Sequence, residues 1–567
     1  MWSSFALFLF LDFFIFVSAK SLVPRLDQLQ SQSDPITIPI RMLSPRAFAE
    51  NDNIGSGITP VTMSMDRQSY FAVIKIGDIN FRVVLDTASS DLWVMSSDCN
   101  THSCTTVPRY PLAYQSPTFT TIDGNSTQFL ASYADGTTAS GFVAKERVQF
   151  ANLTIQNQVF GMVTNCNVTM TDQTSGIIGL GFPRLSSIPS SVTNSTPFFL
   201  ALAQQGLLDY PLFGFSLTRN ATGTLSIGDF LLTFLPCNAS HISWNNVAEF
   251  SPFSTESNSS SYLQWVIPIQ DLSVNGTQIT PTPTFPASTH NSSLALFDIG
   301  APGIYGPFPD VSRVFDLIDG ARLVDPNGQW AVPCDTVVPM TFAFGGHNYT
   351  VQPSDYIIGP ATGNPNICLS WPRALPPSAD GIDWQMGNAF LRTVYSIYSY
   401  GINSKEPPMI GLYPLRNATD KPETTDSVAS ILSSISATVA TTIPNFLLPT
   451  PTFTTPAYAF NTSVSAAIGG IVSSGLAPST YRPILGNLNV SAIPTISPSP
   501  TLVTLVVTDG SGAIATSIQS MAAVSVTLGV PPGWNAAHTL HMPLFTTFMV
   551  LIIPWTLVYM TDIFVYV

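Results

Sequence analysis

The sequence predicts an all-β protein of two related lobes, and three observations carry that expectation. From Tyr70 to about Leu415 the chain is rich in Val, Ile, Phe, Tyr and Thr and is cut at short intervals by Gly, Pro, Asn and Asp, the composition of strands joined by tight turns. Two aspartates, Asp86 and Asp298, each close an apolar strand-like run, Phe81 to Leu85 and Leu294 to Phe297, and step into a turn of small residues. An apolar-containing element ending in glycine follows each: Gly179 stands 93 residues after Asp86, and Gly387 stands 89 after Asp298. The matching intervals predict two similar lobes, each giving one aspartate to a central cleft. Burial disfavours an ionised carboxylate and a like charge nearby disfavours it again, so such a pair is retained mainly where chemistry uses a shared proton.

Composition bounds the rest. With 567 residues, 47 prolines and only 10% charged residues, the chain holds a large core together with non-globular stretches. The formal charge of -14 argues against a nucleic-acid partner, which requires clustered Lys and Arg. It suits a chain that stays folded in acid, where protonating the carboxylates leaves few positive groups to repel one another, and is equally ordinary for a secreted protein. The six histidines form no HExxH or clustered pattern and the cysteines form no CxxC, so neither metal nor cofactor is expected.

Taken in order, residues 1–19 read as a signal peptide, with an uncleaved anchor as the alternative. Residues 20–60 are polar and irregular apart from Ile36 to Ile40, as in a short propeptide or N-terminal extension. The two lobes are expected at 61–235 and 236–415. Residues 416–535 turn to Ser, Thr, Pro, Ala and Gly with almost no charge and read as a disordered, glycosylated stalk. Residues 536–567 contain the apolar run Leu544 to Met560, preceded by the small residues around Asn535, the candidate attachment point for a glycolipid (GPI) anchor. No Lys or Arg follows Arg482, which favours that anchor over a single C-terminal transmembrane helix. Thirteen Asn-x-Ser/Thr sequons agree with secretion. The six cysteines allow about 15 connectivities; spacing favours Cys99 with Cys104 and Cys334 with Cys368, which leaves Cys166 with Cys237 by elimination.

Several motifs then occur in a telling order: Asp86-Thr87-Ala88-Ser89-Ser90-Asp91-Leu92-Trp93-Val94, Ser132-Tyr133-Ala134-Asp135-Gly136-Thr137, Ser175-Gly176-Ile177-Ile178-Gly179, Asp298-Ile299-Gly300 and Trp384-Gln385-Met386-Gly387. Over Tyr70 to Leu415 the chain resembles the pepsin-like (A1) aspartic endopeptidases. The resemblance implies a bilobal β fold with the active-site cleft between the lobes and polypeptide substrates; nothing in the sequence indicates an oligomer, and a monomer without cofactor is expected. It implies that Asp86 and Asp298 share one proton and activate a water that attacks the peptide bond directly, with activity peaking in acid; the handling of two coupled carboxylates is a known property of this family. Tyr133 and Gly136 would belong to a flap that closes over substrate, Trp93 would hydrogen-bond near Tyr133, Ile177 would line a pocket, and Cys334 and Cys368 would form the second lobe's disulfide.

Departures from the family pattern accompany these matches. Ala88 stands where the first motif usually has glycine, adding one methyl group near the dyad. Ile299 replaces a threonine whose hydroxyl normally bonds across the lobe junction, so Thr87 is expected to lose its reciprocal partner. Ser89 keeps the usual hydroxyl support for the first carboxylate, whereas Ala301 removes it from the second, and Gly300 is retained. An endopeptidase of reduced activity is the expectation; a surface binding protein on the same scaffold with a vestigial dyad is the alternative.

Overall fold

The protein is described as a computed structural model covering residues 55–188, 196–218, 222–229, 241–249, 262–402, 405–416, 422–434, 438–439, 441–449, 451–458, 481–485, 502–508, 514–520 and 527–534. The expected signal peptide, nearly all of the expected propeptide, Cys237, Asn535 and the anchor segment 536–567 lie outside these residues.

Strand Ile79–Asp86 shows why this chain makes sheet. Ile79, Phe81, Val83 and Leu85 point into the core, while Asn80, Arg82 and Val84 alternate to the half-buried face. It pairs antiparallel with Tyr70–Ile76 through a two-residue turn. Strand Thr174–Gly179 then inserts between two segments of the first motif, parallel to Ile79–Asp86 and antiparallel to Leu92–Met95. The second lobe repeats the arrangement: Ile382–Met386 lies parallel to Ser293–Phe297 and antiparallel to Ile304–Pro307. The similar intervals in the sequence thus run from each aspartate to the far end of its parallel neighbour, a pairing that requires a long crossover. Close passage is needed at these crossings. A Cβ on Gly176 would stand 1.9 Å from the Trp93 carbonyl oxygen, so only glycine fits there.

A 14-stranded sheet carries strands from both halves of the chain. At its junction Leu212–Leu217 pairs antiparallel with Val394–Ser399, placing Phe213 opposite Tyr398. The rings of Phe213 and Tyr398 stack with centroids 4.9 Å apart, and Phe182 meets Trp265 at 4.4 Å. Each such ring buries roughly 150–250 Å², worth about 4–6 kcal/mol of transfer free energy before ordering entropy is subtracted. Polar tips on this cluster reach the first lobe's backbone. Trp265 Nε1 donates to the Leu180 carbonyl at 2.9 Å, and the Tyr400 hydroxyl lies 2.8 and 2.9 Å from the carbonyls of Leu180 and Gly181. Because Leu180 N donates in turn to the Asp86 carbonyl at 2.7 Å, the aromatic floor fixes the height of the first aspartate.

The expected boundaries shift at both ends of the body. Strand Gly57–Met63 pairs with Thr222–Ile227, so the first lobe takes in residues assigned above to the propeptide. Parts of 416–535 are ordered and packed rather than stalk-like. Helix Thr425–Ser434 buries Val428; Ile443 and Leu485 are also buried; Phe453 packs on Phe308 and Tyr458 on Phe285. Strands Leu502–Thr508 and Ile514–Ser520 pair antiparallel, and Trp534 meets Tyr114 edge-on. Isolated apolar residues dock one at a time in this region, which leaves no period in the sequence.

Two disulfides form as expected, Cys99–Cys104 and Cys334–Cys368, with Cα atoms 5.7 and 5.0 Å apart. Cys237, the partner inferred for Cys166 by elimination, lies outside the described residues. Cys166 is a free thiol, buried at the end of strand Leu153–Cys166 in the apolar cluster that also holds Cys99 and Cys104.

Candidate active site

Asp86 is the last residue of its strand, and Asp298 follows directly on Ser293–Phe297. Both are nearly buried, at 7% and 5% exposure. The turn after each aspartate supplies a backbone donor two residues on: Ala88 N to Asp86 Oδ1 and Gly300 N to Asp298 Oδ1, both at 2.8 Å. These inner oxygens converge. A Cβ built on Gly300 would lie 2.8 Å from Asp86 Oδ1 and 3.0 Å from Asp298 Oδ1, so a side chain there would press on both carboxyl groups. Ala88, at the matching place in the first lobe, turns its methyl onto the apolar cluster of Leu263, Val266, Leu294 and Leu296, where it is accommodated.

The outer oxygens differ in their partners. Ser89 Oγ donates to Asp86 Oδ2 at 2.5 Å, three residues along the same turn. Ala301, three residues after Asp298, has no side-chain donor, and Asp298 Oδ2 is instead held by Gln385 Nε2 at 2.7 Å. Gln385 was missed in the reading of the sequence. The available signal was a polar residue between Trp384 and Met386 on the strand that neighbours Asp298; those two are buried, and alternation turns Gln385 the other way.

Burial raises the proton affinity of both aspartates above the ordinary carboxylate range. For Asp298 the charge of Asp86 raises it further, against the bonds from Gly300 and Gln385; for Asp86 the bonds from Ser89 and Ala88 oppose burial. The two carboxyl groups also hydrogen-bond each other, so they titrate as a pair.

Across the lobe junction the expected loss at Thr87 does not occur. Its hydroxyl accepts from Ile299 N at 3.1 Å and donates to the Phe297 carbonyl at 2.9 Å. Both partners are backbone atoms, which an isoleucine supplies as well as a threonine does. The Ile299 side chain is fully buried in the main core, so only a bond in the opposite direction is forgone.

The hairpin formed by Gln128–Ser132 and Thr138–Phe150 carries Tyr133 at its tip. The turn is held by Gly136 N to the Tyr133 carbonyl at 3.0 Å, with Gly136 in the left-handed region at φ 83°, and by Asp135 Oδ1, which accepts from Thr137 N and Oγ1. Tyr133 Oη accepts from Trp93 Nε1 at 2.7 Å. Ile177 lies beside Trp93 in one small cluster, and Tyr133 packs against it. Among the described residues no group of three or more His, Cys, Asp or Glu side chains could hold a metal ion.

Two like turns presenting facing carboxylates, one from each half of a bilobal β fold and beneath a hairpin, define the class of aspartic peptidases. A family model, "Eukaryotic aspartyl protease", matches residues 69–405. The chain belongs to that pepsin-like family and is an aspartic endopeptidase acting on polypeptides. It is 30% identical over 391 residues to "Aspartic protease" of Phaffia rhodozyma, covering 66% of this chain and 87% of that protein. It is 28% identical to "Aspartic-type endopeptidase ctsD" of Aspergillus fumigatus over 66% of this chain and 74% of the relative. With mouse cathepsin E it shares 30% identity over 65% of this chain and 85% of the relative. All three carry the names of proteases, which leaves the binding-scaffold alternative without support.

Proposed function

We propose that Asp86 and Asp298 are the catalytic pair and hydrolyse peptide bonds in acid. A water held between the inner oxygens gives a proton to the ionised carboxylate while its oxygen bonds to the scissile carbonyl carbon. The other carboxyl group gives its proton to the carbonyl oxygen. The tetrahedral diol then collapses, the C–N bond breaks, and the nitrogen leaves with a proton returned by the dyad. No bond to the enzyme forms at any step. Tyr133, tethered to Trp93, closes over the peptide and excludes bulk water, and Ile177 lines an apolar side-chain pocket beneath it. The observation that carries this reading is the convergence of Asp86 Oδ1 and Asp298 Oδ1 on Gly300, where a side chain would collide with both.

The same reading places the enzyme in the secretory pathway as a monomer, cleaved after residue 19, N-glycosylated, and held at the cell surface by a glycolipid attached near Asn535. A hydrolysis assay tests the catalytic part. The purified chain, freed of its propeptide, should digest an acid-unfolded carrier protein between about pH 3 and 6; a statine-type inhibitor and Asp86→Asn should each stop it. Undiminished cleavage by Asp86→Asn would contradict the assignment. Release of the protein from cells by a phosphatidylinositol-specific phospholipase tests the anchor.

A further inference from the structure

We propose that Gln385 is a positioning residue of the dyad: its side-chain amide replaces the hydroxyl that Ala301 lacks and holds the outer oxygen of Asp298 free of a proton. This rests on the reading of Asp86 and Asp298 as the working pair. In the first lobe the support comes from within the turn, Ser89 reaching back three residues to Asp86 Oδ2. In the second lobe the matching position is a buried alanine, and the vacant lone pairs of Asp298 Oδ2 are met from the adjacent strand instead. Register makes this reach available. Gln385 pairs with Leu296, two residues before Asp298, on one side and with Tyr305 on the other, so it stands mid-sheet between the two arms of the second turn.

An amide is not a neutral exchange for a hydroxyl. A serine Oγ can donate to an ionised carboxylate or accept from a protonated one, whereas Gln385 Nε2 only donates. In the orientation observed, a proton on Asp298 Oδ2 would face an N–H, which favours the pair's proton on the inner oxygens, where water and the scissile carbonyl meet it. The amide also favours the ionised form of Asp298 against burial and the nearby charge of Asp86. Losing it should therefore move the alkaline limb of the activity bell upward, because Asp298 is the member of the pair whose proton the charge of Asp86 retains.

The test is the pH profile of kcat/KM for Gln385→Leu, with Gln385→Met as a second variant of similar length and circular dichroism to verify folding. The expected result is a shift of the alkaline limb to higher pH by about half to one unit, with the acid limb little moved, and a peak about tenfold lower. Adding Ala301→Ser to either variant should return the bell towards its original position, because a hydroxyl three residues after Asp298 can bond Oδ2 as Ser89 bonds Asp86. A residue that merely fills space would lower the peak without moving the limbs and would not respond to the serine. An unmoved bell in a folded variant overturns the proposal. Full activity in Asp298→Asn would instead overturn the dyad reading beneath it.

Discussion

The hydroxyl of Thr87 donates to the carbonyl of Phe297 at 2.9 Å, joining the turn of one lobe to the aspartate strand of the other. It also accepts from Ile299 N, so one buried side chain satisfies two buried backbone groups. Thr87→Val keeps the shape and orphans both. Each orphaned group costs about 1–3 kcal/mol, so denaturant unfolding at acid pH should show a loss of about 2–6 kcal/mol, with activity falling in parallel. Ile299→Thr should change stability by less than about 1 kcal/mol and activity less than threefold, since the bonds that matter are present already. A large gain of activity in Ile299→Thr would show that the missing hydroxyl had crippled the enzyme.

Tyr133 and Trp93 act as one unit at the hairpin tip, joined at 2.7 Å. Tyr133→Phe removes the acceptor and should lower kcat/KM about five- to tenfold while leaving the melting temperature nearly unchanged. Trp93→Phe should lower kcat/KM to a similar degree, with a fall in melting temperature because it shrinks a ring that is 1% exposed, and the double variant should be no less active than the single ones, because both break the same bond. Additive losses would mean that the two rings work separately.

Stability should fall as pH rises from acid to neutral. Asp86, Asp91, Asp298 and Asp383 all have proton affinities raised by burial. For a carboxyl group raised on folding, the bound proton stabilises the fold; that contribution is complete below the unfolded pKa of about 3.9 and is lost as pH climbs through the folded value. The melting temperature should therefore be several degrees higher near pH 4 than near pH 7.5, and Asp298→Asn should narrow the difference. A melting temperature that rises with pH would show these groups ionised in the fold.

Segments beyond Leu415 contribute to the body. A chain ending at residue 416 loses buried Val428, Ile443 and Leu485, each worth about 1.5–3 kcal/mol when fully covered. Leu485 N also donates to Glu406, which accepts from the Tyr210 hydroxyl at 2.7 Å. The shortened chain should melt at least several degrees below one ending at residue 485, by differential scanning calorimetry. Equal melting temperatures would return these segments to the status of a stalk.

What the sequence showed and what it hid follow from the range of the signals. Both aspartates, the hairpin tip at Tyr133 and the Cys99–Cys104 and Cys334–Cys368 bridges were legible because each sits in a short run whose residue types are constrained locally. The paired intervals 86 to 179 and 298 to 387 pointed to two similar lobes but not to the strand crossing in each, because an interval carries no register. Gln385 was missed because alternation marks it as turned away from buried Trp384 and Met386 but not towards what, its partner being 87 residues away and reached across a strand register rather than along a turn. Thr87 was misjudged because the residue types of the family motif suggest side-chain reciprocity, while the bonds run to the backbone. The docked extension was missed because single apolar anchors such as Leu485 leave no periodic trace.

The most direct measurement is kcat/KM for a fluorogenic peptide with bulky apolar residues at the scissile bond, followed from pH 2.5 to 7.5 for the mature chain, Asp86→Asn and Asp298→Asn, all verified as folded. A working dyad predicts a bell in acid for the mature chain and a loss of about a thousandfold in each variant across the whole range. A variant that retains activity within tenfold of the parent would contradict the assignment of Asp86 and Asp298 as the residues that move the protons.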